Sequence, residues 1–275
     1  MNKVFVLGNG ESRKGLDLDV LRTHGKIYGC NAIYRDYPVD ALVCVDGGIM
    51  HEVYSSGYAL ENQCYFRSWT RLPEFIYPDM VNLEQAMSWP KGAYSENERG
   101  NRTQFVLNGT DPNQIQRYYE HILEKYDVND EKEKEEIHQL MIKQHMWVTW
   151  VEDEDKVSTI PDGIEGWSAG PIAVNLACLM EDPTDVYLIG FDLGSNDGTV
   201  NNVYKGTDNY VSSDSPVTFA GNWIQQHMKN FEWFPNVNFW KVNPKPIGED
   251  EQSRYVKEWD AYDNLKYMEI KSLDF

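Results

Sequence analysis

The chain has 275 residues, 41% hydrophobic and 25% charged, proportions with which a globular protein builds its core without disulfide or metal staples. Lys and Arg total 25 against 44 Asp and Glu, a formal net charge of −19. So acidic a surface repels phosphate backbones and anionic lipid, which excludes nucleic-acid or membrane-surface binding over a broad face and leaves room for a local basic pocket holding one small anion. No apolar run approaches the ~20 residues of a membrane span. Val4–Leu7 is too short for a signal-peptide core and runs straight into glycines. Cys30, Cys44, Cys64 and Cys178 show no metal-ligand or redox spacing, so reduced thiols and a cytoplasmic location are the expectation.

Taken in chain order, Lys3–Leu7 reads as a buried parallel strand broken by Gly8-Asn9-Gly10, with a short helix from Leu16 to Leu21. Further strands are expected at Lys26–Cys30 and at 41–45, with a weaker one at Gln63–Phe66. From about Trp69 to Trp150 the pattern loosens into a loop-rich stretch punctuated by Pro73, Pro78 and Pro90. Two helices follow, Asn113–Tyr126 and Asp130–His145, the second opening with acids near the positive end of its dipole. Residues ~70–160 are therefore expected to form an inserted, lid-like subregion rather than a second independent domain. Glu152–Asp155, four consecutive acids, reads as an exposed loop. Ser168–Met180 is a capped helix with Pro171 in its first turn. Val186–Gly190 is another buried strand, followed by a polar loop to about Val217, a helix at Phe219–Phe231 and a strand at Val237–Val242. The acidic, aromatic tail 248–275 is expected to lie partly against the body. Strands alternating with helices imply one α/β domain built on a parallel sheet.

In such a sheet, ligands bind outside the carboxyl ends of the strands. The residues there are Gly8, Asn9, Gly10 and Ser12, then Asn31, then Asp46-Gly47-Gly48, then Asp192–Gly198. Ser168, Ala169 and Gly170 join them at the start of a helix. Glycines let a phosphate approach the backbone, and free helix N-terminal amides receive it. Asn31 offers both a donor and an acceptor; Asp46 and Asp192 suit a ribose hydroxyl or a hard metal ion. Arg13 stands where the third glycine of a dinucleotide fingerprint would fall, and no Gly-Lys-Ser/Thr phosphate loop occurs.

Two strings, Val6-Leu-Gly-Asn-Gly-Glu-Ser12 and Tyr28-Gly-Cys-Asn-Ala-Ile-Tyr34, are followed by Ser168-Ala-Gly170 and Leu188-Ile-Gly-Phe-Asp192. In this order they resemble the Campylobacter-type bacterial sialyltransferases and the related proteins that include archaeal 6-hydroxymethylpterin diphosphokinase. The resemblance spans about residues 3–50 and 164–243. It implies a Rossmann-like fold with a nucleotide across Asn9, Asn31, Ser168-Ala169-Gly170 and Asp192. It also implies a CMP-activated sialic acid-like donor, a glycan acceptor, a loop His as general base, and tyrosines on the leaving phosphate. Here Glu11 replaces the usual proline, and 193–218 contains no His. Tyr204 and Tyr210 are the tyrosines of that loop. His227 in the following helix, Asp46 and Asp192 are the candidates for proton transfer, with His51 a further one. Trp147, Trp150, Trp167 and Trp223 offer stacking faces for a sugar, or simply pack.

The expected function is glycosyl transfer from a nucleotide-activated donor to a glycan or small-molecule acceptor. The alternatives are diphosphate transfer from ATP to a small alcohol, which brings in Mg²⁺ held by carboxylates, and a catalytically inactive protein that keeps the fold. Nothing in the sequence excludes a homo-oligomer.

Overall fold

The computed structural model describes residues 2–76, 94–95, 103–109, 112–195, 197–245 and 255–273. In chain order its elements are β1 (Lys3–Leu7), α1 (Leu18–Arg22), β2 (Lys26–Cys30), β3 (Ala41–Cys44), α2 (Gly47–Ser55), α3 (Tyr58–Glu61), β4 (Cys64–Phe66), β5 (Arg71–Pro73), β6 (Tyr94–Ser95) and β7 (Gln104–Gly109). Then come α4 (Pro112–Lys125), α5 (Glu131–His145), β8 (Met146–Val151), β9 (Val157–Thr159), α6 (Ala169–Glu181), β10 (Asp185–Ile189), α7 (Gly221–Trp233), β11 (Asn238–Asn243) and β12 (Leu265–Glu269). The chain divides into two compact bodies: Met1–Val45, Asn62–Tyr65 and Ile160–Phe275 form the first, Asp46–Glu61 and Phe66–Thr159 the second.

The first body is a Rossmann-like α/β fold. Its strands lie in the order β12-β11-β10-β1-β2-β3-β4, and each neighbouring pair from β12 through β3 runs parallel. The five strands expected at 3–7, 26–30, 41–45, 186–190 and 237–242 are all here, within a residue or so at either end. β12, in the tail, is an addition: Leu265 pairs with Phe239 and extends the parallel sheet by one strand. The chain moves outward from β1 through β2, β3 and β4, then returns to β1's other side with β10. That places the topological switch point between β1 and β10.

Burial explains why these runs are strands. Val4, Phe5, Val6 and Leu7 are all fully buried, as are Val186 and Leu188, the unbroken apolar pattern of strands covered on both faces. α6 is apolar on nearly every side, with Pro171 to Cys178 buried. Its one polar core residue, Asn175, donates to Asn230 Oδ1 at 2.9 Å, and Asn230 donates to the Pro171 carbonyl at 2.9 Å. Two buried amides thereby tie α6 to α7 with their hydrogen-bonding groups satisfied. All four cysteines are free and buried, and among the described residues no helix is long and apolar enough to cross a membrane.

The second body holds a four-stranded sheet in the order β5-β7-β8-β6, antiparallel at β5/β7 and β7/β8 and parallel at β6/β8. This stretch reads as loop-rich in sequence, yet Met146–Val151, all but its first residue β-branched or tryptophan, pairs along its length with Gln104–Gly109. The two expected helices appear as α4 and α5. Pro78, Pro90, residues 96–102 and the first part of the acidic tail, 248–254, lie outside the described residues.

The Glu152–Asp155 run is not simply an exposed loop. The Asp155 side chain is wholly buried, ion-paired to Arg71. It also accepts from the Tyr54 hydroxyl at 2.8 Å and the Val157 amide at 3.1 Å. Asp155→Asn removes the charge that Arg71 faces, and should cost the second body about 1–3 kcal/mol in thermal unfolding. A solvated loop acid would cost less than about 0.5 kcal/mol.

Candidate functional site

The glycine turn, Asp192, Asn9, Asn31, Tyr204, Tyr210 and Ser168 belong to the first body, whereas Asp46, His51, Trp147 and Trp150 belong to the second. The Gly8-Asn9-Gly10 turn leaves β1 bonded to β10's continuation: the Gly8 amide donates to the Ile189 carbonyl at 2.8 Å and the Gly10 amide to the Gly190 carbonyl at 2.9 Å. A Cβ on Gly8 would fall 2.5 Å from the Gly190 oxygen, and one on Gly10 would fall 2.5 Å from Asp192 Cγ. These glycines therefore let two strand ends touch at the switch point. Gly10→Ala should cost about 1–3 kcal/mol by overpacking; an unchanged melting temperature would show that the two turns are not so closely apposed.

Asp192 is 3% exposed, and both of its oxygens are engaged by one residue. Oδ2 accepts from the Ser12 amide at 2.9 Å and Oδ1 accepts from the Ser12 hydroxyl. Burial raises its pKa, opposed by the Ser12 bonds, Lys241 and Asn201. Asp192 and Ser12 thus clamp the turn after β1 rather than present free ligand atoms. Among the described residues no three His, Cys, Asp or Glu side chains gather as a metal cage.

Asn9 and Asn31 do come together at one edge. The Asn9 Nδ2 donates to the Cys30 carbonyl at 3.1 Å and to the Tyr210 hydroxyl at 3.3 Å. Asn31 follows directly at the end of β2 with φ 55°, the left-handed region that Asn tolerates better than most residues. Its Oδ1 is buried and has no hydrogen-bond partner. The next amide, Ala32, donates to the same Tyr210 hydroxyl at 3.2 Å.

Tyr204 and Tyr210 both reach this edge from the loop that follows β10, their rings 5.6 Å apart. Tyr204 donates to Asp36 Oδ2 at 2.6 Å and accepts from Arg13 Nη2 at 2.9 Å. Burial raises the pKa of both phenols, so both are protonated near neutral pH. Arg35 anchors the same loop, donating to Thr207 Oγ1 at 2.8 Å and to the Asp208 carbonyl at 3.0 Å. Arg13, Arg35 and Asp36 are the members of this edge that sequence reasoning did not name as site residues. The signal available for Arg13 was its place just inside the glycine turn.

Ser168 is the N-cap of α6, and its hydroxyl makes no capping bond, while its amide donates to Gln226 Oε1 at 3.0 Å. Ala169 is buried. Gly170 has a packing reason: a Cβ there would lie 2.9 Å from the Phe191 ring.

The proton-transfer candidates divide between the two bodies. His227 is fully buried within α7, with ring contacts to Phe191 at 5.0 Å, Trp259 at 5.6 Å and Phe231 at 6.2 Å. Burial, reinforced by Lys241, lowers its pKa to about 3, and neither ring nitrogen has a partner. An imidazole so enclosed cannot meet a substrate hydroxyl. Asp46 and His51 lie in the second body. Asp46 precedes α2, and burial raises its pKa against the opposing Arg67. His51 is buried against Thr149 Oγ1 and Trp69, its pKa lowered to about 3. Of the tryptophans, Trp167 stacks on Trp233 at 5.3 Å, and Trp150 meets Phe105 edge-on at 5.4 Å. Trp223 lies against the core, and the Trp147 side chain is outside the described residues.

No family model, no curated protein and no solved structure matches this chain.

Proposed function

We propose that the carboxyl edge of β1 and β2 binds a nucleotide, and that the chain transfers a sugar from a CMP-activated, sialic acid-like donor to a glycan or small-molecule acceptor. The observation that carries the reading is Asn31. A buried carbonyl oxygen without a partner costs about 1–3 kcal/mol, and it stands on a residue in a sparsely populated backbone region. Such a combination persists where a ligand completes it. The missing partner must be a hydrogen-bond donor, as an exocyclic amine or a ribose hydroxyl is. Beside it, the Asn9 amide and the Ala32 N–H converge on the Tyr210 hydroxyl oxygen, which leaves the phenol proton as the donor to a phosphate oxygen. Tyr210, which accepts both bonds, is the phenol that can donate to a departing phosphate, because the Tyr204 proton is already given to Asp36.

The diphosphate-transfer reading has less to stand on, because both Asp192 oxygens already hold the Ser12 turn and Asp46 lies in the other body. His227, once a candidate base, is assigned to the core. Calorimetry should show CMP or CDP binding more tightly than NAD, since Arg13 closes the position of the third fingerprint glycine. Release of CMP from a CMP-sialic acid donor, dependent on an added acceptor, tests the transfer step. Tight NAD binding without pyrimidine nucleotide binding would overturn the reading.

A further inference from the structure

We infer that Arg13 is the buried counter-charge of this site and makes it select a phosphoryl-bearing anion over the corresponding neutral molecule; the inference rests on the nucleotide reading above. Arg13 is 8% exposed. Its Nε donates to the Gly8 carbonyl at 2.9 Å, and its Nη2 donates to the Tyr204 hydroxyl at 2.9 Å and to Asn9 Oδ1 at 3.5 Å. Its guanidinium carbon also lies 5.5 Å from the centre of the Tyr204 ring. Every one of these partners is neutral. Among the described residues no carboxylate comes within ion-pair distance of it. Asp36 is joined to it only through the Tyr204 hydroxyl and is itself exposed to solvent.

Buried charges are ordinarily paired, because desolvating an ion costs several kcal/mol that only an opposite charge recovers. In a chain whose acids outnumber its bases by 44 to 25, carboxylates are abundant, yet none is supplied here. An incoming phosphoryl group would provide the missing negative charge. The polar groups beside Arg13 agree with that charge. Asn9 turns its Oδ1 to Arg13, which leaves its Nδ2 directed at the Tyr210 oxygen, and the Ala32 amide is directed at the same atom. Arg13 thus holds Asn9 as a donor and keeps Tyr204 in place while remaining behind both. It is a positioning residue that contributes its charge through a site of low dielectric, where charge-assisted bonds are strengthened.

The test compares a phosphorylated ligand with its neutral counterpart by calorimetry on the full chain: CMP against cytidine, with inorganic pyrophosphate as a probe that carries no base. Arg13→Gln is expected to weaken CMP and pyrophosphate about tenfold to a hundredfold, with cytidine affinity kept within about twofold. Arg13→Lys, which keeps the charge but not the fork, is expected to retain most of the preference for CMP; a purely structural role would make both variants fail alike. Melting curves identify whether each variant is folded. If Arg13→Gln does not fold, the wild-type chain decides: pyrophosphate that competes with CMP supports the inference, and cytidine binding as tightly as CMP overturns it. An unchanged CMP-to-cytidine ratio in folded Arg13→Gln removes the counter-charge role and leaves the nucleotide reading standing. Arg13-dependent pyrophosphate binding with no preference for any nucleotide supports the counter-charge and removes the nucleotide reading. Binding of no phosphate-bearing probe overturns both.

Discussion

Asn31→Ala and Asn31→Gly are both expected to lose nucleotide affinity about threefold to tenfold, the ~0.5–1.5 kcal/mol of a hydrogen bond to a neutral ligand donor. Their stabilities should part company. Ala at φ 55° carries the left-handed penalty of about 1–2 kcal/mol, whereas Gly adopts that backbone freely. Either variant also removes a buried oxygen that has no partner, which by itself relieves a desolvation cost. Asn31→Gly should therefore melt at or above the wild-type temperature while binding CMP poorly. A residue that merely satisfied the end of β2 would behave in the opposite way, losing stability and sparing affinity. Asn31→Asp separates the ligand's chemistry further, since it keeps the backbone preference and an acceptor oxygen but adds charge near the phosphate.

Acid should destabilise the first body steeply, and His227 should account for a defined part of the slope. Its pKa is about 3 in the folded chain and about 6.5 when unfolded, so the unfolded state takes up the proton first as pH falls. Stability is complete above about pH 6.5 and declines below it by about 1.4 kcal/mol per pH unit, reaching a loss of about 4 kcal/mol near pH 3.5. Lys241, itself fully buried, adds to the penalty for a charged imidazole. His227→Leu should remove this slope and, by eliminating two ring nitrogens without partners, leave neutral-pH stability unchanged or higher. His51 in the second body has a pKa lowered to about 3 and contributes with the same sign, so His51→Leu is measured alongside. Denaturant unfolding between about pH 4 and pH 7 reads both. If His227→Leu kept the wild-type acid slope and instead abolished nucleotide binding, the core assignment of this residue would be wrong.

Local sequence was enough for β1, β2, β3 and β10 because each is a run like Val4–Leu7, buried on both faces, and such runs state their burial without reference to anything distant; β12, only partly buried, was not legible. The glycine turns were equally legible, since a strand ending in Gly8-Asn9-Gly10 has few other conformations open to it. The partners of those turns were not. Asp192 reads as a free carboxylate in sequence, and only the apposition of β1 and β10 turns it onto Ser12, 180 residues away. Arg13 meets Tyr204 across 191 residues; its lack of a carboxylate is a property of the folded neighbourhood and leaves no trace in the string around it. His227 resembled a base because histidine is titratable, and its burial by Phe191, Phe231 and Trp259 is what removes that role. In the second body, Asp155 looked solvated among three other acids until Arg71 and Tyr54 closed over it. Residue type and spacing therefore determined the five central strands, their parallel sense and the residues at their carboxyl edge, but not the strand order, β12 or the sheet of the second body. Which polar atoms at that edge are already satisfied, and which await a partner, was decided by tertiary contact alone, because hydrogen bonds and desolvation depend on what lies within a few ångströms in space and not on what lies nearby in the chain.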